Sequence, residues 1–412
     1  METLQLATPQ TQSDIQADAQ TILHRIYKHI MAQPVGQDFS LLGGEMGFAL
    51  FERYYQHHFN LPEESRTWER IEASLEAIAE GDQLHTFAGG VAGMAWSFLH
   101  LTNAGLLSGL ESDAQRIVED LDEPLFNASM KCLQEAEFDY LHGGLSAMLY
   151  FLERTPSPRI HQYITAMVLQ LENISILSLH GGITWLFKKH GLYKPGDTPE
   201  YNLSLSHGVA SIVAVLALAY EKGYERDRCH KLIRLALRWM WNVRNKQDTS
   251  LFPYIVTDVL QDQHSRLAWC YGDLGVASAF YLAGEKLDYK PWKDTALHTI
   301  YKSTLRREFA DTHVRDAGVC HGSAGIAYIY HKFSKVSTNP IISSAARCWL
   351  TNTLQRSLPE TEEAVYVQLT PTKEGFVPYQ SNGLLEGETS IGMVLLSMLG
   401  TPTGWDRFLL LS

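Results

Sequence analysis

Two segments of this sequence place a cysteine two residues ahead of a glycine, Trp269-Cys270-Tyr271-Gly272 and Val319-Cys320-His321-Gly322, in a chain with only five cysteines among 412 residues. Two thiols and the adjacent imidazole of His321 are a donor set suited to zinc, and three protein ligands leave a fourth position open, as in catalytic rather than structural sites. The spacing is far too long for a local Cys-x-x-Cys zinc knuckle, so Cys270, Cys320 and His321 can meet only if the fold makes their segments neighbours. A zinc held by two thiolates and one imidazole is close to neutral. It can take an incoming thiol, draw its pKa below the free value of about 8.5, and leave the sulfur electron-rich. Such a site makes a nucleophilic thiolate at neutral pH.

Each of these residues also has a plainer reading. A free cysteine is commonly just a small core residue. Cys229-His230 shows how little a Cys-His pair means by itself, since it lies inside the helical run DRCHKLIRLALRW with no glycine behind it. It reads as structural or surface, and Cys132 and Cys348, in helical runs, read as core. What lifts Cys270 and Cys320 above this is their equivalent position in two similar segments. His207, directly before Gly208, is either a satisfied histidine at a helix start or an acid/base with a pKa near working pH. From the residues alone, Asp139 reads as a helix cap or loop acid, Arg266 as a surface ion-pair partner and Tyr271 as packing. His142 shares the slot of His321 and is a weaker candidate.

The elements that must position these groups repeat along the chain. Seven glycines, Gly44, Gly90, Gly144, Gly208, Gly272, Gly322 and Gly387, each open an apolar run, and three residues later stands Gly, Ala147, Ser211 or Ser390. The runs, such as VASIVAVLALAY, are apolar nearly all round, which marks a buried helix. The 46 to 65 residues from one glycine to the next leave room for one half-exposed amphipathic helix per unit, of which HKLIRLALRWMWNV and ARCWLTNTLQRSL are examples. Seven such pairs predict an all-α fold, an α/α toroid or double-layered barrel of seven inner and seven outer helices. Gly-x-x-small lets backbones approach closely at crowded helix starts, and seven starts at one end gather free N–H groups. The fifth and sixth units are then neighbours. SLHGGITWLFKKH, from Ser178, also reads as glycine-led but lies too close to the next unit, and is expected to be the outer helix of the third.

Composition limits the rest. The chain is 45% hydrophobic and 19% charged with a net charge of −12, which supports a large core and argues against nucleic acid as a partner. No signal peptide opens the chain and no apolar stretch is long enough to span a bilayer, so a cytoplasmic protein with no integral membrane span is expected. Residues 1–20 read as a polar leader into the first helix, and residues 21–412 as a single α/α-barrel domain.

Taken together, WCYGDLG, CHGSAG, SLSHGVAS and the seven glycine-led helices make the chain similar to the lanthionine synthetase C-like family, the lanthipeptide cyclases, from Leu41 to about Leu399. The resemblance implies the α/α toroid with a central Zn2+ on Cys270, Cys320 and His321. It implies that His207, Tyr271, Asp139 and Arg266 serve catalysis. The family activity adds peptide cysteine thiols to dehydroalanine or dehydrobutyrine, giving lanthionine and methyllanthionine rings. The expected partners are a dehydrated precursor peptide, a separate dehydratase (none precedes the barrel) and an exporter complex that could hold the protein at a membrane. His207 is expected to protonate the enolate carbon, Asp139 to orient a histidine, and Arg266 or Tyr271 to steady the enolate oxygen or the peptide. Alternatives are a zinc-dependent thiol transferase of glutathione type in the same family, or a non-catalytic peptide-binding scaffold. A glycosidase toroid needs a carboxylate pair, and the glycine slots offer Glu386 and little else.

Overall fold

The computed structural model describes residues 11–110, 113–188, 198–361, 363–373, 375–402 and 404–412. Its helices are α1 Gln12–Ala32, α2 Glu45–His58, α3 Ser65–Glu80, α4 Val91–Asn103, the single turn α5 Ala114–Ile117, α6 Asp122–Gln134, α7 Met148–Glu153, α8 Pro158–Asn173, α9 Val209–Glu221, α10 Arg226–Asn242, α11 Asp273–Lys286, α12 Lys290–Ser303, the single turn α13 Phe309–Thr312, α14 Ser323–Val336, α15 Pro340–Gln355 and α16 Glu388–Met398. Among the described residues, α2, α4, α7, α9, α11, α14 and α16 each touch the next and α16 returns to α2, closing an inner ring. The longer remaining helices, α1, α3, α6, α8, α10, α12 and α15, form the outer layer, with α1 covering α16. The fold is the α/α toroid that the repeat predicts.

The sequence explains the two layers. Every residue of α9 from Val209 to Ala219 is buried, as a helix apolar on all sides must be. Outer α10 buries Leu232, Ile233, Ala236, Leu237 and Met240 and exposes Arg234 and Arg238. Three outer helices start with side-chain caps: the Thr11–Asp14 capping box of α1, and Ser157 and Asn339 followed by proline in α8 and α15.

Glycines set the inner starts. A Cβ at Gly47, Gly93, Gly275 or Gly325 would stand 2.1, 2.0, 2.2 or 1.9 Å from the carbonyl oxygen of Leu41, Phe87, Trp269 or Val319. Each inner helix here packs directly on the loop that leads into it. Where serine replaces the second glycine, Ser211 and Ser390 bond the carbonyls of Gly208 and Gly387 at 2.7 Å instead. The loops are also stitched round the ring by backbone hydrogen bonds: Leu42 N–H to Ala88, Ala88 N–H to Leu141, Leu205 N–H to Cys270, Cys270 N–H to Cys320, and Cys320 N–H to Leu385, all 3.0–3.2 Å.

Three details differ from the sequence reading. The first helix starts at Gln12, so part of the polar leader is helical. The Ser178 segment is not a helix. Ile176–Leu177 (β1) and Ile183–Thr184 (β2) form an antiparallel hairpin, because Gly181 and Gly182 take φ of +81° and +87°, which a right-handed helix cannot use. The outer helix of the third unit is α8; Lys189 and His190, the last two residues of the expected helix, lie outside the described residues. Cys132 is only partly buried and Cys348 is exposed. The buried stripe of α15 runs through Ala345, Ala346, Trp349 and Thr353, and Cys348 falls off it.

Candidate metal centre

Cys270 and Cys320 sit on the loops entering α11 and α14, adjacent members of the inner ring. The hydrogen bond from Cys270 N–H to the Cys320 carbonyl, 3.2 Å, fixes the register of the two loops. The result is one cluster: the two Sγ atoms and a ring nitrogen of His321 lie within 4.8 Å of one another. Both thiols are buried and His321 is partly exposed. A tetrahedral zinc with bonds of about 2.0–2.3 Å spaces its ligands by about 3.5–3.8 Å, so small side-chain adjustments would let these three donors hold such an ion, with a fourth position free.

The electrostatics suit a cation. The Cys320 thiol, by hydrogen bonding to Cys270, holds the Cys270 thiol well below its ordinary range against the opposing effect of burial, and His321 adds to this. The same hydrogen bond drives Cys320 up. Two buried thiols in contact cannot both ionise cheaply, and a cation between them would let both do so. Burial pushes His321 down, but the charge and hydrogen bond of Cys270 raise it overall. Each ring nitrogen of His321 also has a carboxylate near it, Glu386 at 3.8 Å from Nδ1 and Asp316 at 3.9 Å from Nε2. Whichever nitrogen faces an ion, the other has an acidic neighbour to fix the ring.

Beside this cluster stands a second pair. His207 Nδ1 and Asp139 Oδ2 are 2.8 Å apart. Asp139 is itself held by the N–H groups of Leu141 and His142, which donate to Oδ1 at 2.8 and 2.9 Å. Burial lowers the pKa of His207, but the Asp139 hydrogen bond and charge, with the Cys270 thiolate, outweigh it and raise it. With Nδ1–H committed to Asp139, Nε2–H is the proton left to give. The rings of His142 and His207 stack at 5.8 Å, and Tyr271 lies 6.1 Å from His207. Burial raises the Tyr271 pKa, so it stays a phenol. Arg266 donates through its backbone N–H and Nε to Tyr254 Oη at 2.6 and 3.3 Å. The Cys270 thiolate offsets the cost of burying its guanidinium and keeps it charged.

All seven residues singled out from the sequence thus gather at one end of the toroid. Tyr254 and Asp316 were not foreseen. Tyr254 stands beside β4 (Ile255–Val256), which pairs with β3 (Tyr201–Asn202) just ahead of the His207 loop; no repeat marks it. A cavity of about 580 Å³ lies elsewhere, at the far ends of the inner helices, lined by His100, Glu153, Lys332 and Arg407. Two of its cations are already paired, Arg407 with Glu153 and Lys332 with Asp406.

A family model described as lanthionine synthetase C-like protein matches residues 35–410. The chain belongs to that family. Over 268 residues it is 24% identical to the nisin biosynthesis protein NisC of Lactococcus lactis subsp. lactis, covering 60% of this chain and 62% of that one. The match thus spans less than two thirds of the relative. The structure is similar to a solved nisin cyclase, with a TM-score of 0.69 at 17% identity over 97% of this chain and 98% of the other. At that identity the likeness speaks for the toroid of this lanthionine synthetase C-like protein, and the site's chemistry rests on its own residues.

Proposed function

We propose that this lanthionine synthetase C-like protein is a zinc-dependent lanthipeptide cyclase. Its substrate is a precursor peptide in which serines and threonines are already dehydrated, and it closes lanthionine and methyllanthionine thioethers. The observation that carries this reading is the convergence of Cys270, Cys320 and His321 within 4.8 Å, with the His207–Asp139 pair beside them.

When bound, Zn2+ supplies a Lewis acid that lowers the pKa of the substrate thiol at the free fourth position. In the reaction the thiol gives up its proton, sulfur bonds to the β-carbon, the double-bond pair shifts to the enolate, and the α-carbon gains a proton. Mass is unchanged. Asp139 holds His207 with Nδ1–H occupied, so that Nε2–H is delivered to the α-carbon. Arg266, kept charged and anchored on Tyr254, and the phenol of Tyr271 steady the enolate oxygen or the adjoining peptide. Asp316 or Glu386 orients His321. A separate dehydratase must supply the substrate, and an exporter complex is the natural recipient of the product. The reading places the protein in the cytoplasm; separately, no described helix is long and apolar enough to cross a membrane.

Elemental analysis of the purified protein beside Cys270→Ala and Cys320→Ala tests the site: about one zinc per chain, lost in both variants, is expected. Incubation with a peptide carrying one cysteine and one dehydroalanine should abolish alkylation by a thiol reagent at constant mass. A well-folded protein without metal, or with metal and no thiol loss on any dehydrated peptide, overturns the reading.

A further inference from the structure

The segment after α16 does something the ring itself does not require. Trp405–Leu409 forms a short 3-10 turn, and Trp405, Asp406, Phe408, Leu409 and Leu410 are all 0–1% exposed. The segment is fixed to three inner helices. Asp406 Oδ2 accepts from Tyr328 Oη of α14 at 2.8 Å and from Lys332. Trp405 Nε1 donates to Ser397 of α16 at 2.8 Å, and Arg407 pairs with Glu153 of α7 at 2.8 Å. Trp96 of α4 meets Phe408 at 6.2 Å. It is held from several sides of the ring at once.

Two consecutive carbonyls of this segment then accept from two loops at the metal end. Tyr140 Oη donates to the Phe408 carbonyl at 2.9 Å, and Trp269 Nε1 donates to the Leu409 carbonyl at 2.8 Å. Tyr140 directly follows Asp139, and Trp269 directly precedes Cys270. Tyr140 and Trp269 are 0% and 1% exposed. Packing alone could be served by phenylalanine at either place. A buried donor needs its acceptor, and leaving one unmade costs about 1–3 kcal/mol, so these bonds are directional and set where each loop sits.

We infer that Trp405–Leu410 is a positioning peg: anchored on α7, α14 and α16, it fixes the Cys270 loop through Trp269 and the Asp139 loop through Tyr140. Trp269 and Tyr140 are positioning residues for the cyclase chemistry proposed above, on which this inference rests. The bonds are separate, so their effects divide. The Trp269 bond governs the metal ligand, and the Tyr140 bond governs the Asp139–His207 pair. Neither is needed for the ring to close.

The test compares Trp269→Phe, Tyr140→Phe and Trp405→Phe in the full chain. The last removes a buried indole donor of the same segment whose acceptor, Ser397, lies in no metal-end loop. Zinc affinity is read by chelator competition, stability by thermal melting, and turnover by thiol loss. Similar losses of melting temperature are expected in all three. Trp269→Phe should weaken zinc by about 10–100-fold, as loss of a ligand-supporting contact does, and Trp405→Phe should not, because Asp406 and Arg407 still anchor the segment to α14 and α7. Tyr140→Phe should keep zinc affinity and lower kcat with KM unchanged. Equal zinc affinities in Trp269→Phe and Trp405→Phe, or wild-type kcat in Tyr140→Phe, overturns the peg while leaving the cyclase reading intact. A wild type that binds no zinc fails the cyclase reading instead. The peg is then read from alkylation of Cys270, located by mass, and an unchanged rate in Trp269→Phe overturns it.

Discussion

Substituting Gly325 with alanine tests whether the repeat glycines hold the metal loops in place. The new Cβ would stand 1.9 Å from the Val319 carbonyl oxygen, where real Cβ contacts essentially never fall below 3.0 Å. The two atoms must separate by about 1.1 Å or more, and both are tied to backbone, so no side chain can turn away. The carbonyl that moves belongs to the peptide plane of Val319 and Cys320, whose N–H is bonded to Leu385 at 3.0 Å. Overpacking costs about 1–3 kcal/mol, and a backbone-on-backbone contact belongs at the top of that range. A fall in melting temperature of about 3 °C is expected for a chain of this length, with zinc affinity at least tenfold weaker. Gly93→Ala is the matched control. Its Cβ would meet the Phe87 carbonyl at 2.0 Å, the same contact in a unit that holds no ligand. Its melting temperature should fall equally while zinc binding stays at wild-type strength. Thermal melting and chelator competition read both quantities. Equal loss of zinc in the two variants, or no loss in Gly325→Ala, would refute the link between helix start and ligand position.

His207→Ala should lower kcat by about 10²–10⁴ and keep zinc, and unchanged cyclisation would remove it as the acid. Because Asp139 raises the His207 pKa, the acid form is lost only as pH rises through that raised value. Asp139→Asn should therefore move the alkaline limb of the pH–rate profile to lower pH, and an unmoved limb would break the pairing. Tyr254→Phe removes the acceptor of the Arg266 bonds and should reduce kcat/KM about tenfold or more, in line with roughly 1.5–3 kcal/mol for a hydrogen bond to a charged group, without releasing metal. His29 of α1 meets Glu388 of α16 at 2.7 Å, and that hydrogen bond raises the His29 pKa. Its stabilisation is full below about pH 6.5 and is lost as pH rises through the higher folded value, so His29→Gln should lower the melting temperature at pH 5.5 and leave it unchanged at pH 9.

The toroid could be read from the sequence because its signals are short and repeated. A buried helix apolar on all sides and a glycine pinned against its own entry loop recur in the same order. The Cys270–Cys320 pair was legible for the same reason, as equivalent positions in adjacent units, with His321 beside it. His207 shared that register. Asp139 and Arg266 stand off it, and only the family likeness raised them. Tyr254 and Asp316 act through distances between loops with no periodicity, so no pattern announced them. The Ser178 hairpin misled because His-Gly-Gly looks like a helix start, whereas two consecutive glycines with positive φ make a turn. Cys348 misled because one position of rotation on α15 separates Trp349 in the core from a surface thiol.

The slot that holds Cys270 and Cys320 exists elsewhere in the ring, filled by Leu42, Ala88 and Leu385. These residues share the chain of backbone hydrogen bonds around the metal end. The stitching therefore belongs to the fold, and the Cys270 and Cys320 slots differ from the others in their side chains. This explains how a buried thiol pair can persist without an obligatory disulfide or a dedicated loop. Its backbone is already committed to neighbours on both sides, and only the sulfur atoms are left to answer to an ion. Loss of metal should then disturb the two thiols and His321 and leave the ring closed, since none of the contacts that close it passes through them.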